Sequence, residues 1–148
     1  MSSERDKLFG YVGIPFLKDG RDRNGVDCLG LVILAFREIW GIKLFDLKGA
    51  YVPGAREKGK DLFREHYHYN WKKLRRENKR PFDLVFFRDV DGATRHVGIV
   101  INRWEFIHCL KSSGVVISRI NDDGWKEKVE GFYRYKYAGY TEILSNKI

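Results

Sequence analysis

The chain has 148 residues, 43% of them hydrophobic and 15% aromatic, with a formal net charge of +8. That length suits one domain, residues 1–148, with a real core, and the aromatic share excludes a disordered chain. No apolar run reaches the length of a membrane span, and two cysteines, Cys28 and Cys109, are too few for a disulfide framework.

The start, MSSERDKLFG, lacks the apolar core of a secretory signal, so synthesis as a cytoplasmic chain without a signal peptide is expected. Residues 3–12 read as a short helix ending near Gly13. Gly13-Ile14-Pro15-Phe16 and the following LKDGRDRNG have loop chemistry and lead to Asp27. From Cys28 to Trp40 strand alternation is missing, and Leu31 to Phe36 is unbroken and apolar. Periodicity leaves strand and helix open there, but the end signals favour a helix. Asp27 is an N-cap candidate and Gly41 a left-handed terminator, with about thirteen residues between them.

Residues 56–80 read as one or two charged, aromatic helices carrying His66, His68 and Trp71. His-x-His has no third ligand at suitable spacing, so no metal and no cofactor are expected. Positive charge gathers at Lys72-Lys73-Leu74-Arg75-Arg76 and Lys79-Arg80. The plain reading is a solvated helical face; the sharper one is attraction to a polyanion, either nucleic acid or acidic wall polymers. Neither zinc-finger spacing nor a phosphate loop accompanies the charge, so nucleic acid is not the expected partner.

The remainder is strand-like: Asp83–Arg88, Arg95–Ile101, Trp104–Leu110, Val115–Ile120 and Glu130–Tyr137, with turns at Asp91-Gly92 and Ser113-Gly114. Helices followed by consecutive short strands predict an α+β fold with an antiparallel sheet.

A cysteine in the first turn of a helix meets the positive end of the helix dipole, which favours thiolate. A nucleophile also needs a base and an orienting group. Suppose Arg95–Ile101 and Trp104–Leu110 form a hairpin with the loop Ile101-Asn102-Arg103. His96 then faces His108 on one face of the sheet, and Gly98 faces Phe106. Asn102 is the loop residue best suited to a left-handed backbone. A loop of even length would put the two histidines on opposite faces. Gly98 would let the start of the Cys28 helix come close, bringing Cys28 to His96. Alone, Cys28 reads as an inert buried thiol and each histidine as a satisfied strand residue. Cys109, facing away from His108, reads as packing. Only the joint pattern points to chemistry.

That pattern resembles the NlpC/P60 family of bacterial cell-wall cysteine peptidases. The resemblance rests on Gly25-Val26-Asp27-Cys28-Leu29-Gly30-Leu31, Asp83-Leu84-Val85-Phe86-Phe87, His96-Val97-Gly98-Ile99-Val100 and Phe106-Ile107-His108, and spans roughly residues 8 to 120. It implies a papain-like α+β fold, with the nucleophile at a helix N-terminus packed on an antiparallel sheet. It implies Cys28 as nucleophile, His96 as base and His108 as third member. The implied substrate is a peptidoglycan stem peptide, cut near a D-glutamyl–diamino acid bond. Substrate and oxyanion contacts would fall at Phe16, Asp27 and Leu29. Relatives commonly carry tyrosine at the position of Phe16, and often serine at that of Leu29. The form Gly20-Arg21-Asp22-Arg23-Asn24-Gly25-Val26-Asp27-Cys28 looks most like a phage and prophage tail branch. That implies phage tail proteins as partners and a place in the virion tail or delivery to the wall. The alternatives are a weakly catalytic tail or wall-binding module of the same fold, and another Cys-His amidase or acyltransferase.

Overall fold

The computed structural model describes residues 3–44, 46, 70–90 and 92–136. The expected helices over residues 56–69, with His66 and His68, lie outside the described residues, as does Tyr137.

The N-terminal segment forms a 3-10 helix, Arg5–Tyr11, after which Gly13 takes a positive φ of 97°. Gly13 N donates to Val115 O and Val115 N to Ile14 O, tying this segment to the C-terminal sheet. A two-strand ribbon, β1 (Arg21–Asp22) and β2 (Gly25–Val26), leads into α1, Cys28–Ala35. Asp27 is extended, with its side chain accepting from Gly30 N, and so caps the helix as its residue type predicts. All eight residues of α1 are buried. The helix widens into a π turn, Phe36–Trp40, and stops at Gly41, which has φ 67°. The expected end is therefore correct, but the last turn is not α-helical. It seats Phe36 edge-on against Trp71 and Phe82, and Trp40 against Phe82.

The sheet has six antiparallel strands in the order β3-β8-β4-β5-β6-β7. They are β3 (Trp71–Leu74), β4 (Leu84–Arg88), β5 (Thr94–Val100), β6 (Glu105–Leu110), β7 (Gly114–Arg119) and β8 (Val129–Tyr135). The fold is α+β, as expected. The helical reading of residues 71–74 is corrected. Trp71-Lys72-Lys73-Leu74 pairs with β8, Trp71 opposite Tyr135 and Leu74 opposite Phe132. Trp71 is buried while Lys72 and Lys73 are exposed. Exposed lysines on an edge strand discourage further pairing. No helix among the described residues is long and apolar enough to cross a membrane.

Side-chain alternation divides the sheet into two faces. Leu84, Phe86, Val97, Ile99, Ile107 and Cys109 join α1 in the main core. Val85, Phe87, Val100, Phe106 and Phe132 form a second cluster with Ile120. The register between β5 and β6 differs from the expected one. Ile99 pairs with Ile107 and Val100 with Phe106, and Ile101 N donates to Glu105 O, so the turn closes over residues 102–104 and β6 is shifted by two residues from its expected partners. Asn102 organises the turn by its side chain rather than by a left-handed backbone: Oδ1 accepts from Trp104 N and Glu105 N, and Nδ2 donates to Glu105 Oε1. A shift of two residues is an even step, so both histidines keep the same face.

Candidate active site

The site begins with the backbone that sets Cys28. Asp27 Oδ1 accepts from Gly30 N at 2.7 Å and from Arg21 Nη1 at 2.8 Å, and Oδ2 accepts from Asp19 N at 2.9 Å. Asp27 is 4% exposed, so these bonds are held away from water. Arg21 also pairs with Asp46 at 3.0 Å. Gly30 is glycine for a steric reason: a Cβ there would lie 2.0 Å from Gly20 O. This clamp fixes the first turn of α1, where Cys28 is 7% exposed.

Val26 O accepts from Cys109 Sγ at 3.2 Å. The strand residue next to His108 is thereby tied to the residue two before Cys28. Burial pushes the Cys109 thiol up to about 12, with the charges of Cys28 and Asp27 adding to the effect. Cys109 is a packed, protonated thiol, as its strand position predicts. α1 packs on β5 and β6.

The histidines meet directly. His96 Nε2 lies 2.7 Å from His108 Nδ1, with ring centres 5.0 Å apart. The expected opposition of His96 to His108 is replaced by a diagonal. Extending the observed register places Gly98 across from His108. A Cβ on Gly98 would lie 2.7 Å from the Phe106 ring and 3.2 Å from His108 Cβ. The glycine therefore makes room for β6 side chains, not for the helix backbone expected from sequence.

His108 is fully buried and His96 half-buried. Phe106 lies 4.3 Å from His108, and Phe87 5.7 Å from His96. Trp125 contacts both imidazoles. Burial lowers His96 to about 4, and the positive charge of Lys128 adds to it. Burial lowers His108 to about 3, with His96 as the second cause. Both rings are therefore neutral at neutral pH, the state required of a base.

The other expected contacts divide. Phe16 bridges Val26, two residues before Cys28, and packs half-buried on the main core. Leu29 is wholly buried in that core, so what it presents outward is backbone. Asp27 is committed to capping and to Arg21. Among the described residues, no cluster of His, Cys, Asp or Glu could hold a metal ion.

Two neighbours were not legible as site residues. Ser118 Oγ lies 2.8 Å from His108 Nε2. Its place follows from β6–β7 pairing, Phe106 opposite Ser118 and His108 opposite Val116. Trp125 comes from the connection between β7 and β8, and no local pattern marks it.

The NlpC/P60 family model matches residues 13–134. Murein DD-endopeptidase MepS/murein LD-carboxypeptidase of Escherichia coli (strain K12) is 34% identical over 124 residues, covering 83% of this chain and 56% of that protein. Gamma-DL-glutamyl hydrolase of Bacillus subtilis (strain 168) is 29% identical over 130 residues, covering 84% of this chain and 27% of that protein. In structure, an NLP/P60 family protein similar to lipoprotein, from Staphylococcus aureus, shares the fold. Its TM-score is 0.68 at 19% identity, over 91% of this chain and 41% of that one. The chain thus spans 56% of the first relative's length and less of the others. The family match runs unbroken from the turn before Phe16 to the last described strand, and by it the chain belongs to the NlpC/P60 family.

Proposed function

We propose that this protein hydrolyses a peptide bond in peptidoglycan stems by cysteine acyl transfer, with Cys28 as nucleophile, His96 as base and His108 as the group that orients it. The observation that carries the reading is the 2.7 Å contact between His96 Nε2 and His108 Nδ1. With its Nε2–H given to His108, His96 keeps its Nδ1 lone pair for the thiol proton.

In this reading Cys28 Sγ attacks the scissile carbonyl carbon as its proton passes to His96. The carbonyl oxygen becomes an oxyanion, for which the Cys28 backbone N–H at the start of α1 is the nearest kind of donor. The tetrahedral intermediate collapses, the C–N bond breaks, and His96 protonates the leaving amine. A water molecule, deprotonated by His96, then attacks the thioester and releases the acid and free thiol. A D-glutamyl–diamino acid bond is the proposed target. It is supported by the motif resemblance and by the murein and γ-glutamyl hydrolases among the relatives. A phage tail setting is supported only by the Gly20–Cys28 sequence pattern.

One observation favours a second reading, a wall-binding module with little turnover. Phe16 packs beside Val26 with a ring but no hydroxyl to offer an oxyanion. Mass analysis of defined muropeptides after incubation separates the readings. New stem fragments that vanish with Cys28→Ala support the hydrolase. Binding of equal strength by wild type and Cys28→Ala, without fragments, supports the binding module. Labelling of Cys28 by an acyl probe without muropeptide cleavage points to another acyl donor.

A further inference from the structure

The histidine contact continues to a third side chain. His96 Nε2 meets His108 Nδ1 at 2.7 Å, and His108 Nε2 meets Ser118 Oγ at 2.8 Å. Each neutral imidazole carries one N–H and one lone pair. Two arrangements satisfy both contacts. In one, His96 Nε2–H donates to His108 Nδ1, and His108 Nε2–H donates to Ser118 Oγ. His96 Nδ1 then carries a lone pair. In the other, the Ser118 hydroxyl donates to His108 Nε2, His108 Nδ1–H donates to His96 Nε2, and His96 Nδ1 carries hydrogen. Only the first arrangement leaves His96 able to take a thiol proton at Nδ1.

The direction in which Ser118 bonds therefore sets the protonation pattern two residues away. Its position favours acceptance. Ser118 is half-buried on β7, the edge strand of the sheet, so its own hydroxyl hydrogen can be given to water. His108 is sealed from water, so its Nε2–H depends on a protein acceptor, and among the described residues Ser118 Oγ lies at hydrogen-bond distance. An imidazolium at His96 carries hydrogen on both nitrogens. That state is compatible only with the first arrangement, so the acceptor role of Ser118 also supports charge forming at His96.

We propose that Ser118 is a positioning residue that holds His108 as the Nε2–H tautomer and thereby leaves His96 Nδ1 open as the base. The proposal deepens the hydrolase reading and rests on it for its catalytic consequence, while the tautomer itself is measurable without turnover. Nitrogen-15 NMR of the imidazoles in the wild-type protein, at neutral pH, should show His96 and His108 both protonated on Nε2. Ser118→Ala should shift His108 towards the Nδ1–H form and lower kcat on muropeptides about tenfold to a hundredfold, with KM little changed. Ser118→Thr, which keeps the hydroxyl on a strand position, should restore both.

A wild-type spectrum with His108 protonated on Nδ1 overturns the proposal, even if Ser118→Ala fails to fold. So does a folded Ser118→Ala with unchanged tautomers and unchanged kcat. Correct tautomers in a protein that cleaves no muropeptide would uphold the Ser118 assignment and reject the hydrolase. Cleavage that is indifferent to Ser118→Ala would do the reverse.

Discussion

The indole of Trp125 lies over the imidazole of His96, with ring centres 5.6 Å apart and planes 27° from parallel. The same indole meets His108 edge-on at 4.8 Å, and Phe87 at 5.1 Å. A side chain from the β7–β8 connection thus covers a hydrogen bond made between β5 and β6. Covering it removes water, which strengthens the bond and penalises a charged ring.

Trp125→Ala should admit water to the pair. His96, held down to about 4 chiefly by burial, should titrate closer to the ordinary 6.5. Proton NMR across pH 3 to 8 reads the midpoint directly. Cleavage of muropeptides should fall about tenfold, because His96, the proposed base, loses its fixed orientation. Trp125→Phe should lie between. An unchanged midpoint in Trp125→Ala would mean that the indole does not seal the site.

The same burial makes folding sensitive to acid. An unfolded histidine titrates near 6.5, whereas the folded pair titrates at about 4 and about 3. Between those values the unfolded chain binds more protons, so the pair's contribution is complete above 6.5 and declines as pH falls towards 3. The pair together should account for a loss on the order of a few kcal/mol. Urea unfolding at stepped pH should show this slope in the wild type and a flatter one in His96→Gln/His108→Gln. Parallel curves for the two proteins would refute it.

Asp27 offers a test of the clamp under Cys28. Its carboxylate caps the start of α1 and meets Arg21 with both side chains largely buried. Asp27→Ala removes the cap and leaves Arg21 with Asp46 as its ion-pair partner and Gly20 O as an acceptor. The expected cost is about 3–5 kcal/mol, the range for breaking a buried pair. Asp27→Asn keeps an oxygen for Gly30 N and should cost less. Iodoacetamide should label the buried Cys28 faster in both variants, as the first turn loosens and the thiol becomes accessible. Chemical denaturation together with labelling rates checks both statements. A loss under 1 kcal/mol in Asp27→Ala would show that Arg21 and the cap contribute little.

What could be read from sequence follows from how local each signal was. Asp27 and Gly41 bracket the first helix because capping needs only neighbouring backbone. The strands from Leu84 to Tyr135 followed from alternation and turn residues. The histidine pair survived a two-residue error in register, because faces depend on parity alone. The strand at Trp71–Leu74 was not legible, since its partner, β8, lies far along the chain. Its lysines match an exposed helix equally well. Ser118 and Trp125 act through register and through a returning loop, neither of which leaves a mark in nearby residues. The π turn at Phe36–Trp40 likewise reflects aromatic packing on Phe82 and Trp71 rather than a local motif.

Gly98 joins the sequence pattern to the site most directly. Its missing Cβ is what permits Phe106 and His108 to close on β5. In Gly98→Ala the new methyl would sit 2.7 Å from Phe106 Cδ2 and 3.0 Å from Ile107 O. The ring could turn aside, but the backbone oxygen belongs to the β5–β6 ladder and could move only with its strand. The hairpin should therefore open slightly and carry His108 away from His96. A cost of about 1–3 kcal/mol is expected from overpacking, with a larger proportional loss in cleavage than in stability, because the His96–His108 contact tolerates little lengthening. Thermal unfolding and muropeptide assays on the same preparation separate the two effects. Full cleavage in a destabilised Gly98→Ala would show that the close approach serves packing alone.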